Sequence, residues 1–183
     1  PFDAAVAAWN GGGGGEPSWK RAVKSLAAAG VDSADAVLRF LLAGALRPVK
    51  GQDLALDWID HLLRAALSVE LILAGPALDG DWSRAIAERA RGRDEVRWIG
   101  EVPPERMGHL IAEVDVILNC SRHEGASNMI LEGLAAGRPL EVRRAPGNTE
   151  LEREAPRAAV RLIEADASDE LLAFARELAG DDS

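Results

Sequence analysis

From residue 37 onward, short apolar runs rich in β-branched residues alternate with longer segments of helical period. In the first long segment Leu54, Trp58 and Leu62 recur every four residues, which places them on one face of a helix. The apolar runs predict strands at residues 37–43, 69–74, 96–99, 114–119, 140–142 and 160–163. The segments that follow them predict helices at residues 52–67, 82–91, 104–113, 128–136, 149–154 and 168–179.

This alternation of strand and helix is typical of a parallel sheet covered by helices on both faces. Because the crossover connections of such sheets are right-handed, we expect an α/β fold with an open, doubly wound, Rossmann-like parallel sheet of about six strands. Ligands bind such sheets at the carboxyl ends of the strands, where loops lead into helices. The residues directly after each apolar run are therefore the candidates for function.

The first 35 residues differ in character from the rest of the chain. They contain five consecutive glycines, Gly11 to Gly15, which predict a linker or mobile loop. Ser18 then fits the N-cap of a short helix. A phosphate-binding glycine loop would follow a strand, and no strand pattern precedes these glycines. We expect a linker with a short helix over residues 1–35 and a single α/β domain over residues 36–183.

Composition narrows the class of protein. The chain has 183 residues, 48% of them hydrophobic, and 30 acidic against 21 basic side chains, for a net charge of −9. This balance argues against nucleic acid or an anionic membrane as partner. No apolar run is long enough to cross a bilayer and the start is no secretory signal, so we expect a cytoplasmic protein without a transmembrane segment. Since the first residue is not Met, we expect a piece of a longer chain.

Cys120 is the lone cysteine, so internal disulfides are excluded. Because it lies at the end of a buried apolar run, we interpret it as a core residue and not as a reactive thiolate.

The loop after the first run carries two cations, Arg47 and Lys50, three positions apart and separated by Pro48. A lysine supplies a point charge and an arginine a planar fork of donors, so together they can bind phosphate oxygens ahead of a helix N-terminus. The alternative is a pair of solvated surface cations. After the second run, Asp79 and Asp81 could chelate a divalent ion, but a turn that ends in an N-cap explains them without a ligand.

The loop after the fourth run combines a glycine turn with a helix start. The unpaired amides that follow Gly125 would carry the partial positive charge that suits a phosphate. Glu124 and Glu132 are eight residues apart, about 12 Å if helical, which is too far for a glycosidase carboxylate pair. They are better placed to hold distant parts of one elongated ligand, or are simply a first-turn charge and a solvated helix face. The amides in question belong to Ala126, Ser127 and Asn128.

In order and spacing, these segments resemble the C-terminal domain of the group 1 glycosyltransferases, retaining enzymes built from two facing Rossmann-like domains (the GT-B arrangement). The likeness runs from about Leu38 to Leu151, and the run Arg47-Pro48-Val49-Lys50 is most similar to the glycosyltransferase 1 domain-containing subgroup. Its most specific element is Glu124 and Glu132 in this context. The matching stretches are residues 46–51, 73–76, 98–100, 121–139 and 146–150.

The resemblance implies a role for each matching residue. Lys50 and Arg47 would bind the diphosphate of a nucleotide sugar, and Glu124 would hold hydroxyls of the transferred sugar, so these three would form the catalytic set. The amides after Gly125 would stabilise the leaving phosphate, and Glu132 would bind the ribose. Donor-site residues would also include Gly75, and Ile99 and Gly100 would border the base. The resemblance implies no metal and no separate cofactor, because the nucleotide sugar is itself the donor substrate.

Two departures from the family pattern stand out. Ala45 occupies the position where many members have arginine, and Gly133 replaces the usual alanine inside a helix, at about 1 kcal/mol in helix propensity. Nothing here matches the family's N-terminal acceptor domain, so we expect this chain alone to bind a nucleotide sugar without transferring the sugar. Three alternatives remain open: a non-catalytic nucleotide- or phosphate-binding module, a flavodoxin-type receiver domain, and a related epimerase or phosphorylase.

Overall fold

The computed structural model describes residues 37–123, 127–149, 151 and 160–180. Within these residues the strands are β1 Leu38–Ala43, β2 Val69–Ala74, β3 Val96–Trp98, β4 Val116–Asn119, β5 Leu140–Arg143 and β6 Val160–Ile163. The helices are α1 Gln52–Arg64, α2 Gly80–Ala90, α3 Pro104–Ala112, α4 Asn128–Ala135 and α5 Ser168–Ala179, and a 3-10 turn spans Pro48–Lys50.

The six strands form one sheet in the order β3-β2-β1-β4-β5-β6. Every neighbouring pair is parallel, from Leu38 opposite Val69 in the β1–β2 pair to Arg143 opposite Ile163 in the β5–β6 pair. Successive connections first move outward from β1 to β3 and then cross back to β4. The predicted open, doubly wound, Rossmann-like sheet is confirmed.

The core lies on both faces of the central strands, where Phe40, Leu41 and Ile117 are fully buried. On one face α4 approaches the sheet closely at Gly133, where an added Cβ would stand 3.2 Å from the Cγ1 atom of Ile117 and 3.5 Å from Leu140. This close approach explains the glycine that departs from the family pattern, because the missing methyl group lets the helix pack directly on β4 and β5.

Several element ends differ from the sequence prediction. Helix α1 ends at Arg64 rather than residue 67, because Ala66 adopts φ 63° and the N–H of Leu67 turns back to the carbonyl of Leu62 at 3.2 Å. Helix α2 begins two residues earlier than predicted, since Asp79 caps it. Strand β4 begins at Val116 and not at residue 114, and β3 ends one residue early. The bounds of β2 and α5 are as predicted.

Some predictions lie outside the described residues. They are the glycine run, the helix after Ser18 and most of the helix predicted at 149–154. Among the helices of the described residues, none combines the length and apolarity that a bilayer crossing requires.

Candidate functional site

The carboxyl ends of β1 and β4 create a crevice at the centre of the sheet. These strands are adjacent, yet the chain leaves β1 toward β2 and leaves β4 toward β5, so their loops separate. A crevice at such a switch point is where open α/β sheets bind ligands. A small hollow lies there, with Lys50 and Ser127 among its lining residues. The rest of its lining comes from the ends of the two strands and the residues after them: Leu42, Ala43, Leu118, Asn119, Cys120, Ser121 and Met129.

Lys50 ends the 3-10 turn that follows β1 and is half-buried. Its aliphatic stem lies over Gly44, where an added Cβ would be 3.6 Å to 3.8 Å from three of its methylene carbons. A methyl group at this position would make ordinary van der Waals contact with the stem, so the lysine stem passes beside Gly44. Because Lys50 is half-buried and lines the hollow, its side chain lies along the crevice.

Three glycines join the ends of β1, β2 and β3 into one rim. The Gly44 N–H donates to the carbonyl of Ala74 at 2.7 Å, and the Gly75 N–H donates to the carbonyl of Gly100 at 2.7 Å. Gly75 has φ 147°, and an added Cβ would stand 2.2 Å from the Gly44 carbonyl oxygen. The Trp98 indole donates to the Gly75 carbonyl at 2.9 Å. Gly75 thus has a packing role at the rim, and its predicted contact with a ligand stays a prediction.

Helix α4 begins directly at the hollow. Its N-cap is Ser127, in extended conformation with φ −85°, and the Ser127 side chain makes no capping hydrogen bond. The first amides of a helix have no partner inside the helix, and their dipoles favour an anion nearby. Asn128 is exposed at the first helical position. Glu124, Gly125 and Ala126 lie outside the described residues.

The structure therefore brings Lys50 and Ser127 to one hollow and leaves other predicted residues at its margins. Arg47 is exposed and is not among the residues that line the hollow. Glu132 is exposed farther along α4, and Ile99 is 43% exposed beyond the end of β3. Gly100 lies at the outer part of the glycine rim.

Two interpretations of individual residues are confirmed. Cys120 is fully buried, and burial raises the pKa of its thiol well above the ordinary value, as expected for a core residue. Asp79 caps α2, because its carboxylate accepts from the Trp82 N–H at 2.9 Å. Asp81 forms an ion pair with Arg84 in the same helix.

Metal ligands do not cluster in the described residues, where no group of three or more His, Cys, Asp or Glu side chains could hold an ion. The sequence-based expectation of a metal-free donor site remains a prediction.

Sequence reasoning missed the polar side chains that tie the crevice together. Gln52, fully buried at the start of α1, donates to the Ala45 carbonyl at 3.1 Å and accepts from the Trp82 indole at 2.9 Å. Asn119 accepts from the Ser121 N–H at 3.1 Å, which turns the chain as it leaves β4. A glutamine at a helix start and an asparagine at a strand end carry no spacing signal, so only the fold reveals these contacts.

Comparisons with known proteins agree with this arrangement. Residues 38–181 match the family described as Glycosyl transferases group 1, which is well over half of the chain. The chain belongs to this family. A relative named D-inositol 3-phosphate glycosyltransferase, from Segniliparus rotundus, is 28% identical over 115 residues, which cover 61% of this chain and 25% of the relative.

Solved GT-B glycosyltransferases share the fold. Anabaena Alr3699/HepE, crystallised with UDP and glucose, superposes with a TM-score of 0.64 at 21% identity over 91% of this chain and 44% of its own. The C-terminal domain of the group 1 family protein LpcC from Francisella tularensis gives 0.64 at 16% identity over 78% of this chain and 75% of its own. The chain therefore spans less than half of HepE and a quarter of the curated relative.

Proposed function

We propose that this chain is the donor-binding half of a retaining glycosyltransferase that moves a sugar, of hexose type, from a nucleotide diphosphate sugar to an acceptor hydroxyl. The observation that carries the proposal is the shared hollow, where Lys50 of the β1 loop meets the N-terminus of α4 at the switch point of the sheet. Both contribute positive potential, and a diphosphate is the part of such a donor that carries the negative charge.

The chemistry that this arrangement suits is departure of a diphosphate. As the bond to the sugar breaks, negative charge grows on the leaving phosphate, and donors already in place stabilise that charge most effectively. Lys50 and the first amides of α4 would receive it, with Arg47 adding charge from the exposed turn. From the family resemblance, Glu124 would hold sugar hydroxyls and Glu132 the ribose.

The identity of the ligand as a nucleotide sugar draws support from a neighbour. HepE was crystallised with UDP, with UDP and glucose, and with UDP-glucose. In the family resemblance the base borders Ile99 and Gly100, which here lie beyond the glycine rim at the end of β3. A ligand that reached from the hollow to this edge would follow the carboxyl ends of β4, β1, β2 and β3.

The acceptor is proposed to bind to a second domain. A transferase must hold the acceptor hydroxyl against the sugar in a closed cleft, and proximity of this kind supplies much of the rate. We therefore expect the chain by itself to bind the donor and to transfer nothing, without a metal and in a cytoplasmic setting. Transfer of a radiolabelled sugar by the isolated chain would contradict this expectation.

Calorimetric titration of the chain with UDP, GDP and ADP tests the proposal. We expect one nucleotide to bind, and the Lys50→Ala variant to bind it about tenfold or more weakly, since a charge-assisted contact to phosphate is lost. The control is Arg64→Ala, which removes the same charge from an exposed position at the far end of α1. No heat from any of the nucleotides, or equal affinity of the Lys50→Ala variant, would overturn the proposal.

A further inference from the structure

Arg122, the third residue after β4, contacts three other parts of the chain. Its guanidinium donates to the carbonyl of Pro48 and to the Oδ2 atom of Asp53, and its Cζ atom lies 5.6 Å from the centroid of the Trp82 ring. Its backbone N–H donates to the carbonyl of Val49 at 2.8 Å. Arg122 therefore holds the 3-10 turn of Lys50 twice, once through the backbone and once through the side chain.

The turn needs anchors of this kind. It is three residues long, has no buried residue and no side-chain cap, and is closed by the N–H of Lys50 to the carbonyl of Arg47 at 3.0 Å and of Gly51 to Pro48 at 3.2 Å. Short 3-10 segments have poor hydrogen-bond geometry and little stability by themselves. The position of the Lys50 backbone therefore depends on what the turn rests against.

The turn rests against the end of β4. Gly51 has φ 67°, and an added Cβ would stand 2.1 Å from the carbonyl oxygen of Cys120. The backbones of the β1 and β4 loops are thus in direct contact on one side of the hollow. Arg122 closes this contact from the solvent side, where its side chain is 39% exposed.

The orientation of the guanidinium is itself fixed. Asp53, in the first turn of α1, accepts from one end of it, and the Trp82 ring covers its face. Trp82 in turn donates to Gln52, which is buried beneath the same turn. The planar guanidinium is thus held by Pro48 and Asp53 at its edges and by Trp82 at its face, which leaves it one orientation. A lysine ammonium is not planar and could not make the same set of contacts.

We propose that Arg122 is a positioning residue, which holds the Lys50 turn against the end of β4 so that the anion site is formed before a ligand arrives. The inference rests on the proposed function, because it gives Arg122 an effect on the ligand that Lys50 binds. Without Arg122 the turn would lose the side-chain contact that holds it to the end of β4, and Lys50 would sample positions away from the hollow. Part of the binding free energy would then be spent on ordering the turn.

Calorimetric affinity for UDP, the nucleotide seen with HepE, tests this role in Arg122→Ala, Lys50→Ala and the double variant. We expect Arg122→Ala to weaken UDP binding about tenfold, and the double variant to bind no more weakly than Lys50→Ala. This non-additivity is the signature of a residue that acts through Lys50, and a purely structural role would not produce it. The control is Arg91→Ala, which breaks a surface ion pair with Glu88 at the C-terminal end of α2.

Two further variants separate geometry from charge. Arg122→Lys keeps the charge but not the fork, so we expect it to restore less than half of the lost binding free energy. Asp53→Asn keeps Arg122 and removes the charge that orients it, so we expect it to weaken UDP binding, but by less than Arg122→Ala does. If Arg122→Ala does not fold, Asp53→Asn replaces it as the test of the positioning role.

The outcomes distinguish this inference from the proposed function. If the unmodified chain binds none of UDP, GDP and ADP, both proposals are wrong; if it binds GDP or ADP in place of UDP, the same variants are titrated with that nucleotide. If it binds UDP and Lys50→Ala weakens binding while Arg122→Ala does not, only the positioning role falls. Additive losses in the double variant, or full restoration by Arg122→Lys, would also overturn that role.

Discussion

Glu141 is a carboxyl group buried inside the sheet, in the middle of β5. The residue is 0% exposed, and neither carboxylate oxygen has a hydrogen-bond partner among the described residues. Arg161 on β6 lies within ion-pair distance, with its Nε atom 3.9 Å from the Glu141 Oε1 atom. Arg161 is shared, because it also pairs with Glu177 at 2.9 Å and lies 4.1 Å from the centroid of the Phe174 ring.

This environment raises the pKa of Glu141 well above its ordinary value. Burial is the main cause, Arg161 opposes it, and Glu170 and Glu177 on α5 add to it. Because the folded chain then holds this proton more tightly than the unfolded chain, the free energy of unfolding falls as the pH rises above the ordinary pKa of a glutamate, about 4.3. The fall is about 1.4 kcal/mol per pH unit until the raised pKa is reached.

Replacing the group removes this penalty. We expect Glu141→Leu to raise the free energy of unfolding at pH 7 by about 1 to 4 kcal/mol, the range seen when buried ion pairs are replaced by apolar side chains. Arg161 is not left as a buried unpaired charge, because its side chain is 40% exposed and keeps Glu177 as a partner. Urea unfolding at pH 5, 6, 7 and 8, followed by far-UV circular dichroism, measures this. The difference between the variant and the unmodified chain should grow with pH, since other titrating groups cancel in the difference.

Two variants make this test sharp. Glu141→Gln removes the titration and keeps the shape, so the difference between its unfolding free energy and that of the unmodified chain should also grow with pH. Glu101→Gln makes the same chemical change at an exposed site that is not among the groups shifting the pKa of Glu141, so its difference from the unmodified chain should not grow with pH. A Glu141→Leu variant that is less stable at pH 7, or a difference that does not depend on pH, would refute the reasoning.

Three more predictions follow from individual contacts. Gly75→Ala should lower the free energy of unfolding by about 2 to 4 kcal/mol in urea titration, because its Cβ would stand 2.2 Å from the Gly44 carbonyl oxygen. Asp79→Ala should lower it by about 1 kcal/mol, since the cap on the Trp82 N–H is lost. Cys120 should react with a thiol reagent only when the chain unfolds, because the thiol is fully buried with a raised pKa.

Matched measurements check each of these. Gly92 also has positive φ, 71°, but nothing within 4 Å of an added Cβ, so Gly92→Ala should be milder than Gly75→Ala. Asp81→Ala changes an exposed aspartate in the same turn and should have little effect beside Asp79→Ala. Equal losses within either pair, or labelling of Cys120 faster than global unfolding, would contradict the reasoning.

The sequence alone determined the class of fold and much of its local detail. Apolar runs and helical periods predicted β2 and α5 at their observed bounds. A buried strand and an amphipathic helix each produce a characteristic pattern of apolar residues that are close together in sequence. The cap at Asp79 and the burial of Cys120 were also predictable, since each depends on neighbours along the chain. Motif order gave Lys50 and Ser127 as parts of one site, and the structure places both at one hollow.

Only the tertiary structure decided which distant groups meet. Periodicity carries no record of contacts between residues far apart in sequence, such as Arg122 with Pro48, Gln52 with Trp82, or the place of Glu141 inside the sheet. The close approach of Gly51 to the Cys120 carbonyl likewise depends on two loops that the sheet brings side by side. The spacing of residues thus predicted which loops form the candidate site, and the packing of parallel strands determined the geometry in which those loops are held.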